Sequence, residues 1–277
     1  MNPETDKHAS IEKQERLLAC LRGLGSVIVA FSGGADSAFL AWAAKRALGE
    51  NALAVTALSP SFSEYDREQA ASFAREWSLR HEFVETREIE NALYVANGPD
   101  RCYYCKDELF DELGKLRAAR GFAAVAYGVN ADDLGDFRPG HRAAREHDVA
   151  TPLLEAGLTK AEVRELSRSA GLSTWDRPAS ACLASRIPYG MPVHADGLAR
   201  IERAESVLRE LGFRQFRVRA HGDLGRIEVA PEELPRALRL DLAQAMATRL
   251  RQAGFTYVTL DLDGYRQGSL NAVLRVI

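Results

Sequence analysis

Long apolar runs are missing from this chain. No stretch approaches the roughly 18 residues that cross a bilayer, and Met1 to Ser10 is polar, without the apolar segment of a secretion signal. The expectation is a cytoplasmic protein with no membrane partner. An excess of positive charge is missing too: 36 Lys and Arg stand against 39 Asp and Glu, a formal net charge of −3. That argues against a general nucleic-acid binder, although a local basic groove stays open. There is no internal repeat, low-complexity tract or long charge run. Cysteine is scarce, and four in a reducing compartment do not make a disulfide framework. What remains is an ordinary globular composition, 46% hydrophobic and 27% charged, in a 277-residue chain long enough for two domains.

The chain is organised around Phe31-Ser32-Gly33-Gly34-Ala35-Asp36-Ser37, which follows the apolar run Ser26 to Ala30 and opens the helical pattern Ala38 to Leu48. A strand running into a Gly-rich turn and then a helix can hold phosphate. Gly33 and Gly34 let backbone N–H groups approach an anion, the helix N-terminus faces it, and Ser32 and Ser37 add hydroxyls. No lysine follows the glycines, so this is not GxxxxGK[ST], and one GG step is not GxGxxG. It resembles the pyrophosphatase loop, SGGxDS, of enzymes that split ATP into AMP and pyrophosphate. The alternative is a strand-to-helix turn with a serine cap.

Strand and helix patterns alternate from there. Helices are expected over 11–24, 63–78, 106–120 and 160–170, and strands over 52–58, 81–85 and 123–129. Such repeated units imply a parallel sheet covered on both faces, with ligands at the carboxyl ends of its strands, where Ser32 and Asn130 fall. Beyond Tyr189-Gly190 the order becomes α-β-β-α-β, with helices over 195–211 and 232–253 and strands over 215–220, 226–230 and 256–262. The expected division is 1–187 and 188–277.

Three further constellations could carry chemistry. Arg101-Cys102-Tyr103-Tyr104-Cys105-Lys106, expected just before a helix, holds a CxxC pair. Two such sulfurs, with a distant third from Cys182, would complete three-cysteine ligation of a 4Fe-4S cluster. Zinc would more often want a fourth protein ligand, and a chance pair beside a helix cap stays open. Cys182 lies in a loop of small residues ending in Ser185-Arg186; a thiol beside that cation would favour thiolate, and plain packing is its alternative. Cys20, on an amphipathic helix, reads as packing. In the strand from Gln215, alternation puts Arg217, Arg219 and His221 on one face. That face suits a small molecule carrying carboxylates or phosphate, or is a solvated face balanced by Glu228 and Asp223. Glu205 shares an apolar helical stripe, facing inward or bridging to an arginine. Finally Asp132, Asp133 and Asp136 follow Asn130, suited to Mg²⁺ or to capping the next turn.

Taken together, FSGGADS, RCYYCK, GVNADDLGDFRPG, PASACLASRIPYG, FRVRAHGDLGRIEV and LDLDGYRQGSLN resemble the LarE family. These are ATP-dependent sulfur transferases of nickel-pincer nucleotide cofactor biosynthesis. The resemblance runs from about Ile11 to the C-terminus. It implies an α/β fold, with a parallel-sheet PP-loop domain (adenine nucleotide alpha-hydrolase-like, Rossmann-like) and a smaller α+β C-terminal domain for substrate binding and oligomerisation. It also implies adenylation of the carboxylates of a pyridinium biscarboxylate mononucleotide, followed by displacement of AMP by sulfur from sulfide or another donor. Ser32, Gly33, Gly34, Asp36 and Ser37 would hold the ATP phosphates and Mg²⁺. Arg217 and Arg219 would face the mononucleotide, Glu205 would lie near it or a metal, and Cys182, Asp36 and Arg186 would act in catalysis. In single-cysteine members Cys182 matches a cysteine that gives up its own sulfur. The presence of Cys102 and Cys105 matches instead a branch in which three cysteines hold a 4Fe-4S cluster. Homo-oligomers are also implied. The competing readings are a tRNA thiolase, an amidating or ligating ATP pyrophosphatase, and an ATP-binding regulatory module.

Overall fold

The computed structural model describes residues 3–135, 139–178 and 181–266, with the side chains of 3–8, 134 and 135 left aside. Asp136, Ala179, Ser180 and the closing motif from Gln267 onward lie outside the described residues. The chain forms two compact units. The first takes 1–88 and 102–180, the second 89–101 and 181–277.

In the first unit, helix α1 (Pro3–Leu24) leads into strand β1 (Val27–Ala30) and helix α2 (Ala35–Leu48), then β2 (Ala52–Leu58), α3 (Glu64–Glu76) and β3 (His81–Glu85). The short helix α4 (Ala92–Val95) falls in the 89–101 stretch of the second unit, and the first unit resumes with α5 (Arg101–Arg120), β4 (Ala124–Tyr127), α6 (Gly140–Glu146), α7 (Pro152–Glu155) and α8 (Lys160–Ser169). The four strands form one parallel sheet in the order β3-β2-β1-β4. Because side chains alternate across a strand, β1 feeds two cores. Val27 and Val29 pack with Leu17, Leu21, Phe39, Leu40 and Phe73 on one face. Ile28 and Ala30 pack with Leu109, Phe110, Leu113 and Val125 on the other. A sheet buried on both faces is the doubly wound α/β arrangement, and it leaves the carboxyl ends of its strands as the place for a ligand.

The second unit carries α9 (Ala195–Glu210), β5 (Phe216–His221), β6 (Leu224–Val229), α10 (Leu234–Ala237), α11 (Leu240–Gln252) and β7 (Tyr257–Leu260). Its sheet is mixed: β5 pairs antiparallel with β6 across the Gly222-Asp223 turn, and β6 pairs parallel with β7. Leu198, Ile201 and Leu208 from α9, with Val218, Ile227, Leu250 and Phe255, are buried.

Two expectations are corrected. The helix expected over 232–253 is broken into a 3₁₀ turn (Pro231–Glu233), α10 and α11. Pro231 and Pro235 each lack the N–H that would continue a helix through them, and both sit at helix starts, where the missing donor costs little. The segment expected to precede a helix, Arg101 to Lys106, is itself the opening of α5.

Candidate active site

At the carboxyl end of β1 the chain turns through Ser32 and Gly33 into α2. Gly33 has φ +72°, a left-handed backbone that glycine adopts without strain. A Cβ there would also press on Ala70 of α3 at 3.3 Å. The helix starts at Gly34 with no side chain capping it, so the N–H groups of its first turn keep no intrahelical partner and face outward from a positive helix end. Ser37 braces the turn from within: its Oγ accepts from the Ser32 N–H at 3.3 Å, lies 3.1 Å from Ser32 Oγ and donates to Gly34 O at 3.1 Å. Gly128, just past β4, allows this close packing, since a Cβ there would fall 2.9 Å from Ser37 N.

Asp36 is the charged group of this turn. Burial raises its proton affinity and Asp133 adds to the rise, while Lys160, the Asn130 amide and Arg164 oppose it. Its Oδ1 is buried with no hydrogen-bond partner among the described residues. Such an orphaned carboxylate oxygen beside the Gly-rich turn fits a hard divalent cation such as Mg²⁺. Asp132 and Asp133 are committed to backbone instead: Asp133 Oδ2 accepts from the Asn130 N–H at 3.1 Å and Asp132 Oδ2 from the Lys160 N–H at 2.9 Å.

Arg177 went unnoticed in the sequence. Its Nη1 donates to Gly33 O at 3.0 Å and its Nη2 pairs with Asp66 Oδ1 at 2.9 Å. A lone arginine before a proline gives no local sign of a partner 144 positions away.

Cys102 and Cys105 stand three apart in the first turns of α5, a spacing that puts both on one helical face. Cys102 is exposed and Cys105 half-buried, and none of the four cysteines forms a disulfide. Two adjacent accessible thiols suit soft-metal ligation. Among the described residues no three His, Cys, Asp or Glu side chains are gathered as a metal site. Cys20 does more than pack: its thiol donates to Glu155 Oε2 at 3.2 Å.

The second unit carries the Cys182 loop and the arginines. Cys182 is half-buried and opens a 3₁₀ turn, Leu183–Arg186. Arg186, 3% exposed, turns its guanidinium to the carboxylate of Glu205, 5% exposed, in a two-pronged ion pair at 2.8 and 2.9 Å. Its remaining nitrogen donates to the carbonyls of Ala181 and Cys182, so Arg186 shapes the backbone under the thiol. Burial alone would raise Glu205, but Arg186, Arg217 and the Val218 N–H hold its carboxyl below the ordinary value. Arg219, also buried, binds Glu228 Oε2 at 2.8 Å and donates to Ser185 O at 2.9 Å. Arg217 lies over the Tyr265 ring at 5.0 Å. Burial and repulsion from Arg186 lower its hold on its proton. With Arg226, which pairs with Glu228 at 3.0 Å and with Asp261 at 3.6 Å, four arginines meet three carboxylates and leave an excess of positive charge, a setting for an anion.

Sequence reasoning also missed the clamp beneath this loop. Arg101 donates to Asn97 Oδ1 at 2.6 Å and to Ala184 O at 2.9 Å, while Asn97 Nδ2 reaches the carbonyls of Pro188 and Met191. Asn97 holds a left-handed φ of +54° to do so. An Asn next to Gly98 was the available signal.

Comparison with known proteins agrees with this architecture. Residues 19–115, which contain the turn from Ser32 to Ser37, match the NAD synthase family. An uncharacterized protein of Synechocystis sp. is 44% identical over 263 residues, covering 95% of this chain and 98% of its own length. The pyridinium-3,5-bisthiocarboxylic acid mononucleotide synthase of Lactiplantibacillus plantarum is 36% identical over 263 residues, 95% of either chain. An uncharacterized protein of Methanocaldococcus jannaschii is 27% identical over 240 residues, 87% of this chain and 90% of its own. With both units inside the alignment to a named synthase, the chain belongs to the LarE family of ATP-dependent, PP-loop enzymes.

Proposed function

We propose that this enzyme adenylates the carboxylates of pyridinium-3,5-biscarboxylic acid mononucleotide and converts them to thiocarboxylates for the nickel-pincer cofactor. The observation that carries the reading is the identity, across both units, to a synthase whose product is the bisthiocarboxylic acid mononucleotide. The residues supply a physical account of each step. The turn from Ser32 to Ser37 binds the ATP phosphates through backbone N–H groups and the end of α2, and Asp36 would hold a Mg²⁺ that screens them. A substrate carboxylate oxygen attacks the α-phosphorus and pyrophosphate leaves, its charge stabilised by these donors. Arg217 and Arg219 orient the anionic mononucleotide, and Glu205 fixes Arg186 beneath the Cys182 loop. Sulfur then attacks the acyl carbon and AMP departs. Repetition at the second carboxylate completes the product.

The cysteine content favours one source of that sulfur. Cys102, Cys105 and Cys182 together would hold a 4Fe-4S cluster, which would supply the sulfur for transfer. In this reading residues 1–187 use ATP, 188–277 bind substrate and assemble a cytoplasmic homo-oligomer, and no nucleic acid takes part.

The test is a count of sulfur transferred per chain, on protein purified and reconstituted without oxygen, with a visible spectrum taken first and Cys102→Ala run alongside. Brown protein that transfers several sulfurs per chain when given sulfide, with loss in the variant, is the expected result. Colourless protein giving at most one sulfur, a loss of about 34 Da at Cys182 and an unaffected variant would make Cys182 itself the donor.

A further inference from the structure

We propose that Arg177 is a positioning residue for ATP, setting the direction in which the phosphate turn presents its donors. The inference rests on the reading of Phe31 to Ser37 as the ATP turn and deepens it. In a planar trans peptide the C=O and N–H point opposite ways, and the described backbone has no cis bond. Fixing the Gly33 carbonyl on Arg177 Nη1 at 3.0 Å therefore fixes the Gly34 N–H on the opposite side. Gly33 needs that help. A glycine with φ +72° is free to leave this conformation, and the turn that holds it has no capping side chain.

Arg177 is itself held from both directions. Its Nη2 pairs with Asp66 Oδ1 at 2.9 Å, with both side chains about five-sixths buried. Asp66 is kept in place by Ser63, whose Oγ donates to the other carboxylate oxygen at 2.7 Å and caps α3. Behind Arg177, Arg164 of α8 donates to the carbonyls of Trp175 and Arg177 at 3.3 and 2.8 Å. The same helix α3 that anchors Arg177 through Asp66 supplies Ala70 as the floor under Gly33. One planar, two-pronged cation thus joins α3 to the turn, a geometry a lysine ammonium does not reproduce.

The effect falls on the part of the nucleotide that the turn binds, the pyrophosphate portion, and not on the adenosine. The experiment measures affinity of the full-length protein for Mg-ATP, for inorganic pyrophosphate and for AMP by calorimetry, with an unfolding temperature for each variant. Arg177→Ala is expected to weaken ATP and pyrophosphate by about tenfold, the size of one lost charge-assisted hydrogen bond, and AMP by less than about twofold. Arg177→Lys loses most of the same affinity. Asp66→Asn, which leaves the arginine in place but loosens it, loses about threefold. If Arg177→Ala does not fold, the lysine and Asp66→Asn variants carry the comparison. Unchanged ATP affinity in folded variants, or equal losses for ATP and AMP, would overturn the proposal while leaving the ATP turn intact. Wild-type protein that binds neither ATP nor pyrophosphate would overturn the reading of the turn and this inference with it.

Discussion

At their candidate anion sites the two units bury acid in opposite ways. In the first, Asp36 sits half-buried with one oxygen unpartnered and its proton affinity raised by burial. In the second, Glu205 and Glu228 are buried more completely, yet each faces arginine, and Glu205 is held below its ordinary value. An unsatisfied acid costs stability and waits for a ligand, whereas a paired acid fixes the cation beside it. In the proposed function the difference explains how each would recognise an anion. The turn from Ser32 to Ser37 would offer backbone donors and a helix end, with Asp36 as the acid for a metal. The second unit offers guanidinium groups, and its carboxylates decide which way they point.

The same chemical change should therefore act with opposite sign in the two units. Glu205→Gln removes the charge that pairs with Arg186 and leaves a buried guanidinium uncompensated, a loss of about 3–5 kcal/mol in denaturant unfolding. Because the folded value of Glu205 is depressed, its contribution is full above the ordinary carboxylate range and lost as the pH falls through the folded value. The stability difference between wild type and Glu205→Gln should narrow below about pH 4; a difference that held constant into acid would dissolve the contrast.

Asp36→Asn is the counterpart. Turnover should fall by about 10²–10³-fold, the scale of one lost electrostatic contact to a developing charge. The unfolding temperature at pH 7 should rise. A carboxyl whose folded value is raised favours folding below its unfolded value, and that support disappears as pH rises through the folded one, so the amide removes a penalty present at neutral pH. Lower stability together with lower turnover would mean that Asp36 is structural.

A smaller effect tests how close the packing around the turn is. Gly128→Ala would put a Cβ 2.9 Å from Ser37 N and 3.1 Å from its Cα, so α2 must move at its N-terminal end. The expected cost is about 1–3 kcal/mol, read in both unfolding and ATP affinity. A loss in unfolding alone would show that the turn tolerates the shift.

What the sequence made legible follows its locality. Phe31 to Ser37 announces itself because strand, glycines and helix are contiguous, and β2 and β3 occupy the expected 52–58 and 81–85 because short β-branched and apolar runs carry their own signal. The inward face of Glu205 was readable from its stripe with Leu198, Ile201 and Leu208. Which arginine bridges to it was not, and neither was the Arg177 bond to Gly33, since periodicity carries no information about which distant side chain completes a hydrogen bond. The start of α5 was hidden for another reason. Its first turn, Arg101 to Cys105, is polar and aromatic, so no apolar period marks it, although Pro99 and Asp100 stand just ahead of it as start signals. The 89–101 segment joins the second unit through Asn97 and Arg101, contacts that span more than eighty positions.

The smallest effect separates the cysteines. Burial, the hydrogen bond to Glu155 and the charge of Glu155 together push the Cys20 thiol up to about 11. Because the thiolate is the nucleophile and the ligand, a rise from 9.0 to about 11 leaves Cys20 roughly a hundredfold poorer in thiolate at neutral pH than an unperturbed thiol. Iodoacetamide at pH 7.5, followed by peptide mass mapping, should label the Cys102 and Cys105 peptide of metal-free protein well before Cys20. Cys20→Ser should keep sulfur transfer within about twofold of wild type, since the hydroxyl replaces the donor to Glu155 with loss of less than one hydrogen bond. Early labelling of Cys20, or loss of sulfur transfer in Cys20→Ser, would bring a fourth sulfur into the chemistry and break the proposed division between a unit that would bind by backbone and one that would bind by paired charge.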